Sequence, residues 1–223
     1  MTTAERRHRC FNFSTWCQTS WHGPVWPFES SKLGTALIHA LHDVRHRASY
    51  ATFVRPADFF GFLATYARMH TRGRARDVPD GEPFVGESFH GDDGYWLTRE
   101  IMYQRNTGDR RRGDHYFHSS FCDLVLSGLV GLHVELGRAE GAGHDRQSPL
   151  QDLAALLVVE PLFDAGALSH FAASSIRIRG RDVAVAFDGS GGAHYGFRGL
   201  AVWVDSALVA HRPTLDRIVV PLP

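Results

Sequence analysis

The segment His118–Leu132, HSSFCDLVLSGLVGL, carries the clearest structural pattern in the chain. Its apolar residues recur at intervals of three and four, which places them on one face of a helix: Phe121, Leu124, Val125, Gly128, Leu129 and Leu132. Ser120, followed three residues later by Asp123, resembles a capping box at a helix start. The spacing therefore predicts a helix from about Ser120 to Leu132.

Upstream of this segment the same periodicity predicts two more strong helices. The first follows Ser30 and Ser31, which are candidate N-caps, and its expected buried face comprises Leu33, Ala36, Leu37, Ala40, Leu41 and Val44. The second starts at Pro56, a residue suited to the first helical position. A short helix is expected around Trp96–Tyr103. Residues 72–95 are rich in Gly, Pro, Asp and Arg and are expected to form a long loop, a length often associated with function.

After about residue 140 the pattern changes to short runs that alternate with period two. Residues 175–179 and 182–187 flank Gly180-Arg181 and predict a β-hairpin. Residues 200–204 and 207–210 flank Asp205-Ser206 and predict a second hairpin, and residues 217–220 predict a last strand. We therefore expect an α+β protein in two parts, with helices in residues 1–145 and a small antiparallel β domain in residues 146–223.

Bulk composition excludes several classes of protein. The chain has 223 residues with 43% hydrophobic and 22% charged residues, as in ordinary globular proteins. Lys plus Arg equals Asp plus Glu at 24 each, which argues against a nucleic-acid partner. No run of apolar residues is long enough for a membrane helix, so we expect no membrane partner and a cytoplasmic location. Three cysteines without a CxxC pair predict no disulfide framework.

Chemistry-bearing residues concentrate in Trp16–Glu29, WCQTSWHGPVWPFE, which holds three tryptophans within eleven residues. Tryptophans beside Gly-Pro and Trp-Pro turns can form a rigid wall on which the flat C–H faces of sugar rings stack. They are equally typical core residues, and composition alone leaves these two readings at even odds.

Three segments carry a resemblance to a known family. Gly23–Phe28, GPVWPF, is similar to the W-x-G-P-x-W-P segment of six-hairpin glycosidases, namely the mannosylglycerate hydrolase-like group related to the processing α-glucosidases. His118–Leu132 resembles that group's H-S-T-F-C-D-L-V-x-x-G-L-V-G-L helix. Asp188, Tyr195-Gly196 and Gly199-Leu200 resemble the pattern of its terminal β domain. The resemblance implies the C-terminal part of an (α/α)6-barrel glycoside hydrolase.

The resemblance also implies roles for individual residues. Glu87 matches the glutamate expected to be the catalytic base of an inverting reaction. Trp21, Trp26, Trp96 and His118 are expected to shape the sugar site, in one cleft between the Trp-rich turn and the helix that follows Ser120. The carbohydrate substrate is the expected partner, and no cofactor is implied.

The chain departs from the family pattern in one respect that bears on activity. The aspartate expected to be the catalytic acid belongs to an earlier part of the barrel, and no segment here matches it. Twelve barrel helices also need roughly 200 residues, whereas about four helices are readable before residue 140. We therefore expect a truncated C-terminal segment whose N-terminal barrel portion is missing.

Two alternatives to a hydrolase stay open at this level. The chain could be a non-catalytic carbohydrate-binding relic that uses the same aromatic residues. It could instead be an interaction domain that self-associates through an exposed half-barrel face. His115-x-x-His118, with Cys122 and Asp123 nearby, has possible metal spacing, but a zinc site needs further convergent ligands, and we expect no metal.

Overall fold

A computed structural model describes most of the chain: residues 7–9, 11, 23–43, 45, 47–72, 82–105, 108, 111, 113–115, 118–138 and 153–222. These residues form an α+β protein, as the sequence predicts. They divide into two compact units. The first unit takes its described residues from Met1–Ala40 and Asp58–Leu124, and the second from Leu41–Ala57 and Val125–Pro223. No helix of the described residues combines the length and apolar character that a membrane crossing requires.

The helices are α1 (Pro27–His42), α2 (Arg47–Tyr50), α3 (Pro56–Arg72), α4 (Leu97–Gln104) and α5 (Phe121–Leu124). Proline opens α1 and α3, where its missing N–H costs nothing and its fixed φ favours the helix. The predicted starts of α3 and of the short helix α4 are confirmed. The candidate caps Ser30 and Ser31 are wrong, because α1 begins three residues before Ser30 and both serines lie buried inside it.

The buried face of α1 is rotated from the predicted one. Ile38 and Leu41 are buried, whereas Ala36, expected in the core, is exposed. The reason is a close approach at Gly34, where an added Cβ would lie 2.9 Å from side-chain atoms of both Leu124 and Phe62. Small side chains on that face let neighbouring residues approach more closely than leucines would allow. Val44, the last member of the predicted face, lies outside the described residues.

The predicted helix Ser120–Leu132 is shorter and changes type. After α5 the chain forms a π-helix at Val125–Leu129, in which the N–H of Val130 donates to the carbonyl of Val125 at 2.9 Å. Gly131 then adopts a φ of +72°, and Leu132 begins a strand instead of ending a helix. The N–H of Leu162 donates to the carbonyl of Gly128 at 3.0 Å, so a distant segment completes this irregular turn.

The second unit contains two antiparallel sheets. One has the order β1-β2-β7 and comprises β1 (Leu132–Arg138), β2 (Leu153–Val159) and β7 (Ile218–Leu222). The other has the order β3-β4-β5-β6 and comprises β3 (His170–Ile178), β4 (Arg181–Asp188), β5 (Gly199–Val204) and β6 (Ala207–Arg212). Its central strands bury mainly aliphatic side chains, among them Val183, Val185, Leu200 and Val202.

Both predicted hairpins are confirmed, although the first turn lies one residue earlier than the predicted Gly180-Arg181. Arg179 and Gly180 connect β3 to β4 with φ values of 50° and 84°, and Asp205 and Ser206 connect β5 to β6 with 49° and 69°. Two consecutive residues with positive φ are the mark of a type I′ turn, whose twist matches that of the strands. The predicted last strand is also confirmed as β7, whereas β1 and β2 were not predicted.

Candidate functional site

The segment Phe84–His90, which carries Glu87, is fastened to its neighbours by backbone hydrogen bonds. The N–H of Val25 donates to the carbonyl of Phe89 at 2.8 Å, and the N–H of Phe89 returns a bond of the same length. On the other side, the N–H of Leu97 at the start of α4 donates to the carbonyl of Ser88 at 2.9 Å. Glu87 is half-buried between these attachments. The long loop is therefore held in place at the segment that carries Glu87, the candidate base.

The Glu87 carboxylate lies directly against a glycine. A Cβ added at Gly113 would stand 2.7 Å from Oε2 of Glu87 and 3.0 Å from Cγ2 of Thr98. Gly113 has a φ of +87°, which L side chains rarely adopt. The next residue, Asp114, forms a backbone bridge with Gly86, so the two segments run side by side. The absence of a side chain at residue 113 thus makes room for the carboxylate.

A buried ion pair holds the Gly113 segment in place. Nη2 of Arg99 donates to Oδ2 of Asp114 at 2.6 Å, and the Arg99 guanidinium also lies over the Phe84 ring at 5.2 Å. The side chains of Arg99 and Asp114 are 6% and 13% exposed, which makes the pair costly to break from one side only. The N–H of His115 adds a backbone bond to the carbonyl of Val85 at 2.8 Å.

His118, three residues before the start of α5, contacts the same segment. Its Nε2 lies 2.8 Å from the carbonyl oxygen of Gly86, and its Nδ1 lies 2.9 Å from Nε2 of His70 on α3. A carbonyl only accepts, so His118 donates through Nε2–H and accepts at Nδ1 from the Nε2–H of His70. The neutral imidazole rings of His70 and His118, with one N–H each, thus supply the protons of these two hydrogen bonds.

Burial keeps these two histidines neutral near pH 7. Desolvation lowers the pKa of His118 to about 4, with the His70 and His115 charges acting in the same direction against the opposing effect of the Gly86 carbonyl. Desolvation likewise lowers the pKa of His70. Both shifts favour the neutral form, which is the form that completes the two hydrogen bonds.

These pKa shifts predict a loss of stability in mild acid. In the unfolded chain His118 takes up a proton near pH 6.5, whereas in the folded chain it does so near pH 4. The unfolded state therefore binds more protons between these values, and the free energy of unfolding falls as the pH drops below 6.5. One pKa unit corresponds to about 1.4 kcal/mol, and solvent screening at a half-buried site reduces the expected loss to about 1–2 kcal/mol.

The measurement is urea unfolding between pH 7.5 and pH 5, above the range in which carboxylates titrate. His118→Gln should flatten the decline, whereas His39→Gln, at an exposed position of α1, should leave it unchanged. An equally steep decline in His118→Gln would contradict the assignment to this ring.

Two of the tryptophans expected to contact sugar are enclosed by the first unit. Trp96 is fully buried, with its ring 5.6 Å from that of Phe84, 5.2 Å from Phe89 and 5.7 Å from His118. Its Nε1 has no hydrogen-bond partner among the residues that the structure describes. Trp26 is 6% exposed. Both rings thus contribute packing around the segment that carries Glu87, and Trp21 lies outside the described residues.

The structure brings most of the sequence-predicted site residues to one place. Trp96 and His118 are in ring contact, His118 bonds the residue before Glu87, and Trp26 follows Val25, whose backbone pairs with Phe89. Residues that sequence reasoning missed complete the site: His70, Arg99, Gly113 and Asp114. No local pattern marks them, because each acts on a residue far away in sequence.

Known proteins resemble this chain in sequence and in structure. The family model described as "Mannosylglycerate hydrolase MGH1-like glycoside hydrolase domain" matches residues 1–119. A solved structure of a protein named "Sialidase" is similar over 96% of this chain with a TM-score of 0.69 and 25% sequence identity. The similar region is 16% of that protein's chain, so the present chain spans a small part of its length. No curated protein gives a significant match.

The matched residues include the Trp-Pro turn, the segment with Glu87, and His118. Since 119 of 223 residues fit the family model, the resemblance seen in the sequence is confirmed. The chain belongs to the mannosylglycerate hydrolase MGH1-like glycoside hydrolase family.

Proposed function

We propose that this glycosidase-like chain takes part in the hydrolysis of O-glycosidic bonds with inversion, and that Glu87 is its general base. In such a reaction Glu87 removes a proton from a water molecule whose oxygen attacks the anomeric carbon, while the bond to the leaving oxygen breaks. A second carboxyl group protonates that leaving oxygen. The observation that supports this role most is the position of Glu87, half-buried on a loop segment that is bonded on both sides.

The nearby side chains would serve this base in different ways. His118 would hold the backbone at Gly86, next to Glu87, with both of its ring nitrogens used in that role. Trp26 and Trp96 would support the wall of the sugar site from behind, and Trp21 would add to it. Neutral histidines and buried aromatic rings make this a low-dielectric surrounding, in which a fixed carboxylate acts more strongly than in water.

We further propose that α1 and α3 are helices of a partial (α/α)6 barrel, and that the general acid comes from a further part of a longer protein. The small share of the sialidase chain that this chain matches supports that view. The sequence segments that resemble the family also lack its acidic aspartate.

The experiment uses substrates that do not need the acid. A 2,4-dinitrophenolate leaves without protonation, so 2,4-dinitrophenyl hexosides, mannosides included, report on the base alone, and an aryl sialoside tests the activity in the structural neighbour's name. Turnover by the purified chain, with an inverted anomeric product in the first proton NMR spectra, would support the proposal. Absence of turnover across the whole panel would reject catalysis by this chain.

A non-catalytic carbohydrate-binding role is the second candidate. It is favoured by the missing counterpart of the acidic aspartate, since a chain without an acid can retain its sugar contacts. Binding of a panel sugar in calorimetry, without turnover and unaffected by Glu87→Gln, would favour this role over hydrolysis.

Gly113→Ala should lower catalytic activity strongly while lowering the stability of the fold only moderately. The new methyl group would displace the Glu87 carboxylate, and a misplacement of about 1 Å can lower activity about 100-fold. The loss of stability should be about 1–2 kcal/mol, as for a residue forced to positive φ.

The matched control is Gly191→Ala. Gly191 has nearly the same φ, +85°, but nothing lies within 4 Å of an added Cβ. Kinetics on the best panel substrate and urea unfolding are measured for both variants. If both lose the same activity, the contact between Gly113 and Glu87 has no functional role.

A further inference from the structure

His70 belongs to a hydrogen-bond chain that reaches the segment carrying Glu87. From α3 its Nε2 bonds Nδ1 of His118 at 2.9 Å, and Nε2 of His118 bonds the Gly86 carbonyl at 2.8 Å. Forty-eight residues separate the two histidines in sequence. The bond therefore links α3 to the loop directly and not through local structure.

The His70 ring is itself fixed by packing. It stacks on Tyr66 with centroids 5.4 Å apart and an interplanar angle of 20°, and it meets Phe121 edge to face at 5.1 Å. A ring held on two sides cannot rotate freely, so the direction of its Nε2–H is set before His118 accepts from it.

The number of protons makes the chain directional. Each neutral imidazole has one N–H, and the bonds from His118 to Gly86 and from His70 to His118 use both of them, which leaves no proton for the Ala67 and Tyr66 carbonyls that His70 also approaches. Since the Gly86 carbonyl can only accept a hydrogen bond, His118 must keep its proton on Nε2. Its unprotonated Nδ1 then needs a donor. His70 is that donor. Without it, the Nδ1 of a half-buried His118 would lack its bond, and the ring would lose one of the contacts that hold it at Gly86 beside Trp96 and Tyr66.

We propose that His70 is a positioning residue for Glu87, acting through His118 and the carbonyl of Gly86; this inference rests on the proposed role of Glu87. The peptide group between Gly86 and Glu87 contains the carbonyl that His118 holds. Fixing this group fixes the direction in which the Glu87 side chain leaves the backbone, towards the gap at Gly113. His70 touches neither substrate nor reacting atoms.

The alternative is that His70 merely fills space between Tyr66 and Phe121. His70→Phe separates the two readings, because it retains a stacking ring and removes the donor. His70→Gln loses the ring but places an amide N–H near the position of Nε2. Tyr66→Phe is the matched control: it removes a buried hydroxyl that donates to the Pro27 carbonyl at 3.2 Å and leaves the histidine pair intact.

Two measurements are made on the full chain and the three variants. Kinetics on the best panel substrate should show kcat reduced about 10- to 100-fold in His70→Phe with KM nearly unchanged, as for a misplaced catalytic group. The NMR order parameter of the Glu87 amide should fall from about 0.85 towards 0.6 in the same variant. His70→Gln should recover most of both quantities, and Tyr66→Phe should change neither.

The outcomes separate this inference from the proposed function. If no panel substrate is turned over, hydrolysis by this chain is rejected, but the order parameters still decide whether His70 fixes the Glu87 peptide. If turnover depends on Glu87 while His70→Phe and Tyr66→Phe behave alike in both measurements, His70 is a packing residue and the inference is overturned.

Discussion

Glu87→Gln should lower kcat and kcat/KM together by about 10²- to 10⁴-fold on 2,4-dinitrophenyl glycosides, the usual contribution of general base catalysis. This corresponds to about 3–5 kcal/mol of transition-state stabilisation, at 1.36 kcal/mol for each factor of ten. Glutamine has the shape of glutamate but cannot accept the proton of the attacking water. A base acts only as the reaction proceeds, so kcat and kcat/KM should fall by similar factors.

The surroundings of Glu87 make this substitution easy to interpret. The side chain is half-buried and lies in a gap that Gly113 leaves open, and an isosteric amide fits the same gap. Stability should therefore fall only by about 1 kcal/mol, as for an ordinary single substitution. Any large loss of rate then reports on chemistry and not on folding.

The control is Glu82→Gln, an exposed glutamate five residues earlier in the chain. It removes the same charge from the same loop, but at an exposed side chain. Rates that fall equally in both variants would indicate a general effect of charge. Rates that survive in Glu87→Gln would show that another group is the base.

What the sequence could predict depends on how local each determinant is. The hairpins β3–β4 and β5–β6 are set by alternation and by two-residue turns at Arg179-Gly180 and Asp205-Ser206, within the single stretches 170–188 and 199–212, and both hairpins were predicted. The helix predicted through Leu132 was wrong at its end, because the interruption depends on a hydrogen bond between Gly128 and Leu162. Periodicity cannot reveal a contact over such a separation.

The candidate site shows the same difference between local and long-range determinants. The family motifs indicated the segments that meet, namely the Trp-Pro turn, the loop with Glu87 and the helix start at His118. They did not indicate His70 or the ion pair of Arg99 with Asp114, since an isolated histidine or arginine in a helix carries no signal of its partner. The tryptophans illustrate a further limit: composition alone gave core packing and sugar contact even odds, and the burial of Trp26 and Trp96 is a property of the folded unit.

Gly131→Ala should cost at least about 4 kcal/mol of stability. Gly131 has a φ of +72° between the π-helix and β1, and an added Cβ would lie 1.9 Å from the Glu160 carbonyl oxygen and 2.0 Å from its carbon. These are backbone atoms at the end of β2, and the N–H of Glu160 donates to the Gly131 carbonyl at 2.9 Å. Relief of the clash therefore requires the two segments to separate and lose that bond.

Gly180→Ala provides the comparison, because Gly180 has a similar φ of +84° and open space around an added Cβ. It should lose only about 1 kcal/mol, the cost of positive φ for an L residue. Urea unfolding followed by circular dichroism measures both variants, and an unchanged m-value would show that the unfolding transitions are comparable. Equal losses in the two variants would mean that backbone strain, and not the approach of Glu160, determines the need for glycine at position 131. A loss several-fold larger in Gly131→Ala would show that glycine is needed because of the contact between the end of β2 and the turn before β1. That contact lies next to the Gly128–Leu162 hydrogen bond, where the helix ends earlier than its periodicity predicts.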